Sequence, residues 1–388
     1  MKAATLEFLR QRFTEYYGKE PLLSPSSVPQ REWAFVFFEP DYPDIHMRRH
    51  LGFETREEVF SYIRSLVPAH SYYSTAYYAR PGAPTMQEKE WLGADLIFDL
   101  DADHIMRGPY DRMLSRVREE TIKLLEMLTT ELGFSTREID IVFSGGRGYH
   151  VHVHDLAVRN WGSSERRELI DYICGIGLDP ARILAHRTPS PRGWHHRYIS
   201  ALHEYFVWLS GLPEKERLAA ITGLEGVGKT TAEEFSRRLD ETVSLVAENP
   251  GGLNMRDAVL AKVIRGLTSQ KEGQFATLLR NRAVLADEPV TTDTKRLIRL
   301  PSSLHGGSGF RVTPVSPSDL DTFDPLVDAV VFGERVVKVD LAYPLAMPLL
   351  GSTYRLEKGP VAVPEALAVF LCCRGAAEIS GGVHPAPG

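Results

Sequence analysis

Cysteine is nearly absent from this 388-residue chain: Cys174, Cys372 and Cys373 are the three, and two of them are adjacent. Such a set cannot frame a disulfide scaffold, so a reducing compartment is the expected setting. Long apolar runs are missing as well. Nowhere do 18 apolar residues follow one another, which leaves no candidate for a membrane-spanning helix. The amino terminus, MKAATLEFLRQRFTEYY, scatters charges among its apolar residues and lacks a signal-peptide core. Positive charge is not in excess: 45 Lys and Arg face 51 Asp and Glu, a formal net charge of −6. That balance does not announce a nucleic-acid binder, yet it excludes none, because steering depends on the local field. No internal repeat or low-complexity tract interrupts the chain. The expectation is a soluble cytoplasmic protein, long enough for one large domain or two ordinary ones.

What is present reads as a mixed α/β body with a helical interruption. Leu6, Leu9, Phe13, Tyr16 and Tyr17 recur at helical spacing near the start. Strand candidates follow in EWAFVFFEP, in ADLIFDLDAD (94–103) and in IDIVFS and YHVHVHD around the turn GGRG. A helix is predicted over 110–132. From about 200 to 283 the pattern changes to several short helices, and the tail returns to strands in RLIRL, FRVTPV, DAVVFG and RVVKVDLAY. The expected class is α/β (α+β), with residues 1–199 and 284–388 forming the main domain and 200–283 a helical insertion. The last residues, ISGGVHPAPG, are expected to be a loose end.

Chemistry concentrates in three segments. In the first, Asp99 and Asp101 stand two apart on a predicted strand, so both carboxylates project from one face. Like charges held together repel, and a shared divalent cation with hard oxygen ligands, Mg²⁺ or Mn²⁺, relieves that repulsion. The alternative is a solvated polar face; the apolar residues before the pair argue for an inner strand instead. In the second, Ser144, Arg147 and His150 flank three glycines in SGGRGYH. Glycines let successive N–H groups converge on an anion, and a guanidinium grips phosphate bidentately. An ordinary hairpin turn with an exposed arginine is the alternative, but the added Ser, Arg and His favour a phosphate site. His152 and His154 are set aside as marks of a half-exposed strand. The third segment, VLADEPVTTDTKRLIRLPSSLHGGSG (284–309), offers Asp287 and Asp293 as a third carboxylate and Arg299 and His305 as phosphate partners.

The three segments in this order resemble the catalytic (small) subunit of archaeo-eukaryotic DNA primases, in FDLDAD, SGGRGYHVHV and DEPVTTDTKRLIRLPSSLHGGSG. Weaker similarity lies in REWAF, MRRHLGF and YYSTAYYARP, so the likeness runs over about 30–340. The resemblance implies a primase catalytic fold with a mixed sheet and a helical insertion. It also implies template-directed synthesis of short primers from nucleoside triphosphates on single-stranded DNA. By the same resemblance Asp99, Asp101 and Asp287 bind Mg²⁺ or Mn²⁺, with Asp293 the other choice for the third ligand. Ser144, Arg147, His150, Arg299 and His305 contact the nucleotide, and Arg49 and Glu32 occupy positions resembling other nucleotide contacts. The implied partner is a primase large subunit carrying an iron–sulfur cluster, which this chain has too few cysteines to hold itself. Rival readings are a primase-related polymerase that only extends strands, and a non-catalytic subunit that binds nucleotide or DNA.

Two further patterns bear on metal and phosphate binding. Family members commonly carry a zinc knuckle between the D-x-D strand and the glycine turn, but residues 102–143 hold no cysteine and only His104. Cys174, His186, His195 and His196 are poorly spaced for zinc, so no structural zinc is expected. Residues 223–230, GLEGVGKT, fit the letters of a phosphate loop. Such a loop follows a buried strand, whereas EKERLAAIT looks helical. A connection between two helices is the expectation, with a hairpin touching a DNA backbone as the alternative.

Overall fold

A computed structural model describes residues 1–39, 42, 46–185, 192–248, 253 and 255–380. His186 and the end of the carboxy-terminal tail fall outside these residues. The chain divides into two compact units, one of residues 1–125, 134–168 and 285–388, the other of 126–133 and 169–284. The helical unit therefore takes in residues from 169, whereas the change of pattern in the sequence suggests 200.

The first unit holds the strands. In chain order these are β1 (Trp33–Val36), β2 (Met47–Leu51), β3 (His70–Ser74), β4 (Ala76–Tyr78), β5 (Trp91–Ala94), β6 (Leu96–Asp101), β7 (Ile139–Phe143) and β8 (Gly148–Val153). After the helical unit come β9 (Leu297–Arg299), β10 (Thr313–Val315), β11 (Val336–Leu341), β12 (Leu345–Leu349), β13 (Ser352–Leu356), β14 (Gly359–Pro364) and β15 (Ala377–Ile379). Two four-stranded sheets carry the site, ordered β2-β1-β3-β9 and β10-β7-β8-β6. Among the described residues every pairing is antiparallel, where a mixed sheet was expected; the class is α+β.

Strand β6 shows why the register is fixed. Leu96, Phe98 and Leu100 are fully buried, each worth about 1.5–3 kcal/mol. A slip by one residue would drive Asp99 and Asp101 into that core. The strand is not inner, as the apolar run suggested, but lies at the edge of its sheet. It is nonetheless covered, because the segment entering the short helix Glu288–Thr292 lies along it, with the Asp287 amide donating to the Asp99 carbonyl at 2.9 Å. Strand β8 is buried at all six positions, so His152 is a core residue and not half-exposed.

At the other end of this strand pair lies a closed polar network. The buried Arg31 guanidinium donates to Asp95 Oδ2 at 2.7 Å and to the carbonyls of Ser74 and Thr75. Tyr77 donates its hydroxyl to Asp95 Oδ1 at 2.8 Å. His154 lies between Asp95 (3.3 Å) and Asp140 (3.0 Å). Burial alone would lower the His154 pKa, but these two carboxylates overcome it and push the value up to about 9. Burial opposes the ionisation of Asp95, yet His154 and Arg31 hold it well below the usual carboxylate range.

The tail differs from its expected pattern. DAVVFG forms no strand, and a helix, Glu365–Cys373, lies between β14 and β15 with every residue buried. The helical unit has its own core, built by Trp194, Tyr205, Phe206, Phe235, Leu260 and Ile264 among others. Within it, residues 223–228 join the helices Glu214–Thr222 and Lys229–Arg237, so a helix precedes the glycine segment, as its sequence suggests.

Candidate active site

Strand register brings the first two segments together. In the β6–β8 pair Asp99 lies opposite His150 and Asp101 opposite Gly148. Gly148 has to be glycine, because a Cβ there would run into the Leu100 carbonyl. The turn is laced by Ser144, whose Oγ accepts from the amides of Gly146 and Gly148, each at 3.3 Å. Gly145 adopts φ +75°, and a Cβ on it would come within 2.7 Å of His305 Cβ. Glycine at this point lets the third segment pack directly on the turn.

The third segment is positioned from behind by the helix Ala3–Lys19. Tyr16 donates to the Ser302 carbonyl at 2.9 Å, and Tyr17 Oη accepts from the Leu304 amide at 3.1 Å. His305 Nδ1 accepts from the Gly307 amide at 3.2 Å, which leaves the ring proton on Nε2. On β3, His70 Nδ1 lies 2.6 Å from Arg299 Nη1 and accepts from the Gly306 amide at 3.3 Å. Burial first, and then the Arg299 charge, keeps both His70 and His305 well below the ordinary histidine range. Both rings are therefore neutral donors at Nε2.

These parts line one cleft of about 450 Å³, walled by Asp99, Asp101, Ser144, Arg147, His150, Arg299 and His305. Burial, then the charge of Asp101 and that of Asp287, pushes the Asp99 pKa up to about 7 against the pull of Arg296 and Arg299. His150 Nε2 stands 3.7 Å from Asp99 Oδ1. It is neutral, since burial and the neighbouring cationic groups depress its pKa well below the ordinary value. Asp101 lends Oδ1 to the Asp103 amide at 2.9 Å, and Arg147 pairs with Asp103 at 2.5 Å. Asp287 reaches Asp99 through its backbone, while Asp293 caps the Lys295 amide at the exposed end of its helix. Among the described residues no three His, Cys, Asp or Glu side chains stand together as a ready-made metal set. The acidic end is two carboxylates on one strand face with a third residue anchored beside them.

Arg49 is not in the cleft lining. It pairs with the buried Glu32 at 3.0 Å, and Lys89 lies 3.5 Å from the other oxygen of that carboxylate. Sequence reasoning missed Tyr72, Tyr110, Arg296, Ser308 and Arg374, all of which line the cleft. Arg296 and Ser308 lie inside the third segment and were legible there as composition; Tyr110 and Arg374 lie outside all three.

Residues 98–317 match the family described as DNA primase small subunit. The chain is similar to three archaeal proteins named DNA primase small subunit PriS. With that of Methanoregula boonei it shares 58% identity, covering 98% of this chain and 100% of the relative. For Methanospirillum hungatei JF-1 the figures are 53%, 98% and 98%, and for Methanocorpusculum labreanum 53%, 99% and 100%.

Proposed function

The chain belongs to the DNA primase small subunit family, and from that premise we propose that it is the catalytic subunit of a DNA primase. In this reading it makes short primers from nucleoside triphosphates on single-stranded DNA. One observation carries the reading: three segments far apart in sequence converge on a single cleft that is acidic at one end and cationic elsewhere.

The donor set suits a hard divalent ion, because Asp99 is a half-buried carboxylate raised to about 7 by burial and by the charges of Asp101 and Asp287, which Arg296 and Arg299 only partly offset. Asp99, Asp101 and Asp287 would hold Mg²⁺ or Mn²⁺, which lowers the pKa of a bound hydroxyl and stabilises charge on phosphate oxygens. Ser144, Arg147, His150, Arg299 and His305 bind and orient the triphosphate, and their fixed donors are worth more in a half-buried cleft than in water. The attacking 3′-oxygen bonds to the α-phosphorus as the α–β anhydride bond breaks. The electron pair leaves on pyrophosphate, and the hydroxyl proton passes to solvent. His70 has no contact with the phosphates in this scheme and acts by holding Arg299. Arg49 is left out of the triphosphate set.

The partners proposed are a primase large subunit and the template strand, the latter held through phosphates so that activity falls as salt rises. The test is synthesis on an unprimed single-stranded template with the large subunit added. Product without a primer supports the proposal. Product only on a primed template assigns the chain to strand extension, and none on either template assigns it a non-catalytic role.

A further inference from the structure

Arg374 is 57 residues beyond the end of the family match, in no motif, yet its side chain lines the same cleft as Arg147, His305 and Asp99. It follows the buried helix Glu365–Cys373 and is itself exposed. Its guanidinium is seated over the ring of Tyr110 at 4.6 Å and that of Phe370 at 5.2 Å. Both rings are fixed in turn: Tyr110 donates its hydroxyl to the Gly146 carbonyl of the glycine turn, and Phe370 stacks on Phe310 at 5.2 Å. Stacking leaves the edge of a guanidinium, with its N–H groups, free to bond. No carboxylate among the described residues pairs with it, whereas Arg147 is engaged by Asp103 and Arg299 by His70. An arginine held on two aromatic faces and pointed into a polar cleft, with no anion of its own, is a built anion contact.

Its place along the cleft indicates which anion. Tyr110, the ring beneath Arg374, donates its hydroxyl to the Gly146 carbonyl, so the guanidinium stands at the glycine turn that carries Arg147. Arg374 and Arg147 thus both stand at the glycine turn. Resting on the nucleotide reading of the cleft, we propose that Arg374 grips the two outer phosphates of the incoming nucleotide, the part that leaves as pyrophosphate. The family motifs supply one arginine at that end, and the carboxy-terminal helix supplies the second.

The test is equilibrium binding of ATP, inorganic pyrophosphate and AMP, with magnesium present, to the full chain and to Arg374→Ala, Arg374→Lys and Arg147→Ala. A bidentate charge-assisted contact corresponds to roughly tenfold or more in affinity. Arg374→Ala is expected to weaken ATP and pyrophosphate by that factor while AMP changes less than twofold, and Arg374→Lys to recover part of the loss. Equal weakening of all three ligands would overturn the proposal, because it marks Arg374 as a support for Tyr110 and the glycine turn. Unchanged ATP binding in Arg374→Ala alongside a loss in Arg147→Ala overturns it while leaving the nucleotide site standing. If Arg147→Ala also binds ATP as the parent does, the nucleotide reading of the cleft fails and this inference with it.

Discussion

The two ends of the β6–β8 pair are made from the same residue types and behave in opposite ways. At one end Asp95, His154 and Arg31 satisfy one another, and the carboxyl is held ionised. At the other, four residues along the strand, Asp99 lies near Asp101, Asp287 and a neutral His150, and its pKa rises to about 7. The closed network stabilises the fold. The open set is only partly offset by Arg296 and Arg299, which suits it to the outside ligand proposed above. Burial and count of partners, not residue identity, separate structure from chemistry here.

The sharpest way to break the comparison is to remove one carboxylate from each end. Asp101→Ala should lower primer synthesis by at least two orders of magnitude, as for other groups that stabilise charge in the reaction. Its melting temperature should change little, because relief of the repulsion with Asp99 offsets the lost cap on the Asp103 amide; activity above a few per cent of the parent would count against the assignment. Asp95→Ala should do the reverse, costing about 3–5 kcal/mol of stability because Arg31 is left buried without a counter-charge. Chemical denaturation reads that loss, and a cost under 1 kcal/mol would show the network to be dispensable.

A smaller effect has a defined pH dependence. The folded pKa of His154, about 9, exceeds the ordinary 6.5. Protonation therefore favours the folded state, fully below about pH 6.5, and the benefit is lost as pH rises through about 9. With His154 side-chain exposure at 31%, a benefit of about 1–2 kcal/mol is expected after screening. The gap in melting temperature between the parent and His154→Gln should be widest near pH 6 and close by pH 10; a gap independent of pH rules this out. Smallest of all is Lys229→Ala in the glycine segment of the helical unit. The side chain is 86% exposed, so stability should change by less than about 0.5 kcal/mol. Primer synthesis should be nearly intact, and a loss of ATP binding equal to that of Arg147→Ala would revive the phosphate-loop reading.

Much of the open end was legible in the sequence because local rules set it. Two aspartates at a spacing of two must share a strand face, and three glycines around Ser144 and Arg147 must turn. The closed end was not legible. His152 and His154 alternate as a half-exposed strand would, and only the packing of the sheet shows that β8 is buried throughout. The edge position of β6 was misread for a related reason: apolar content reports burial, and a covered edge is as buried as an inner strand. The helix Glu365–Cys373 escaped notice because all its residues are buried, so it has no polar side to give a helical period. Arg374 was hidden along with it.

The amino-terminal helix carries a practical consequence. Its first residues are tied to the middle of β15, where the Lys2 amide and the Thr5 hydroxyl both donate to the Glu378 carboxylate. Further along the same helix, Tyr16 and Tyr17 grip the Ser302–Leu304 backbone from the rear. A purification handle that tugs on Met1, or a trimmed version beginning after Lys19, would therefore loosen the seat of His305 without altering a single residue that lines the cleft. A preparation weakened in that way would look like an enzyme with poor nucleotide affinity, when its fault lay in the cloning.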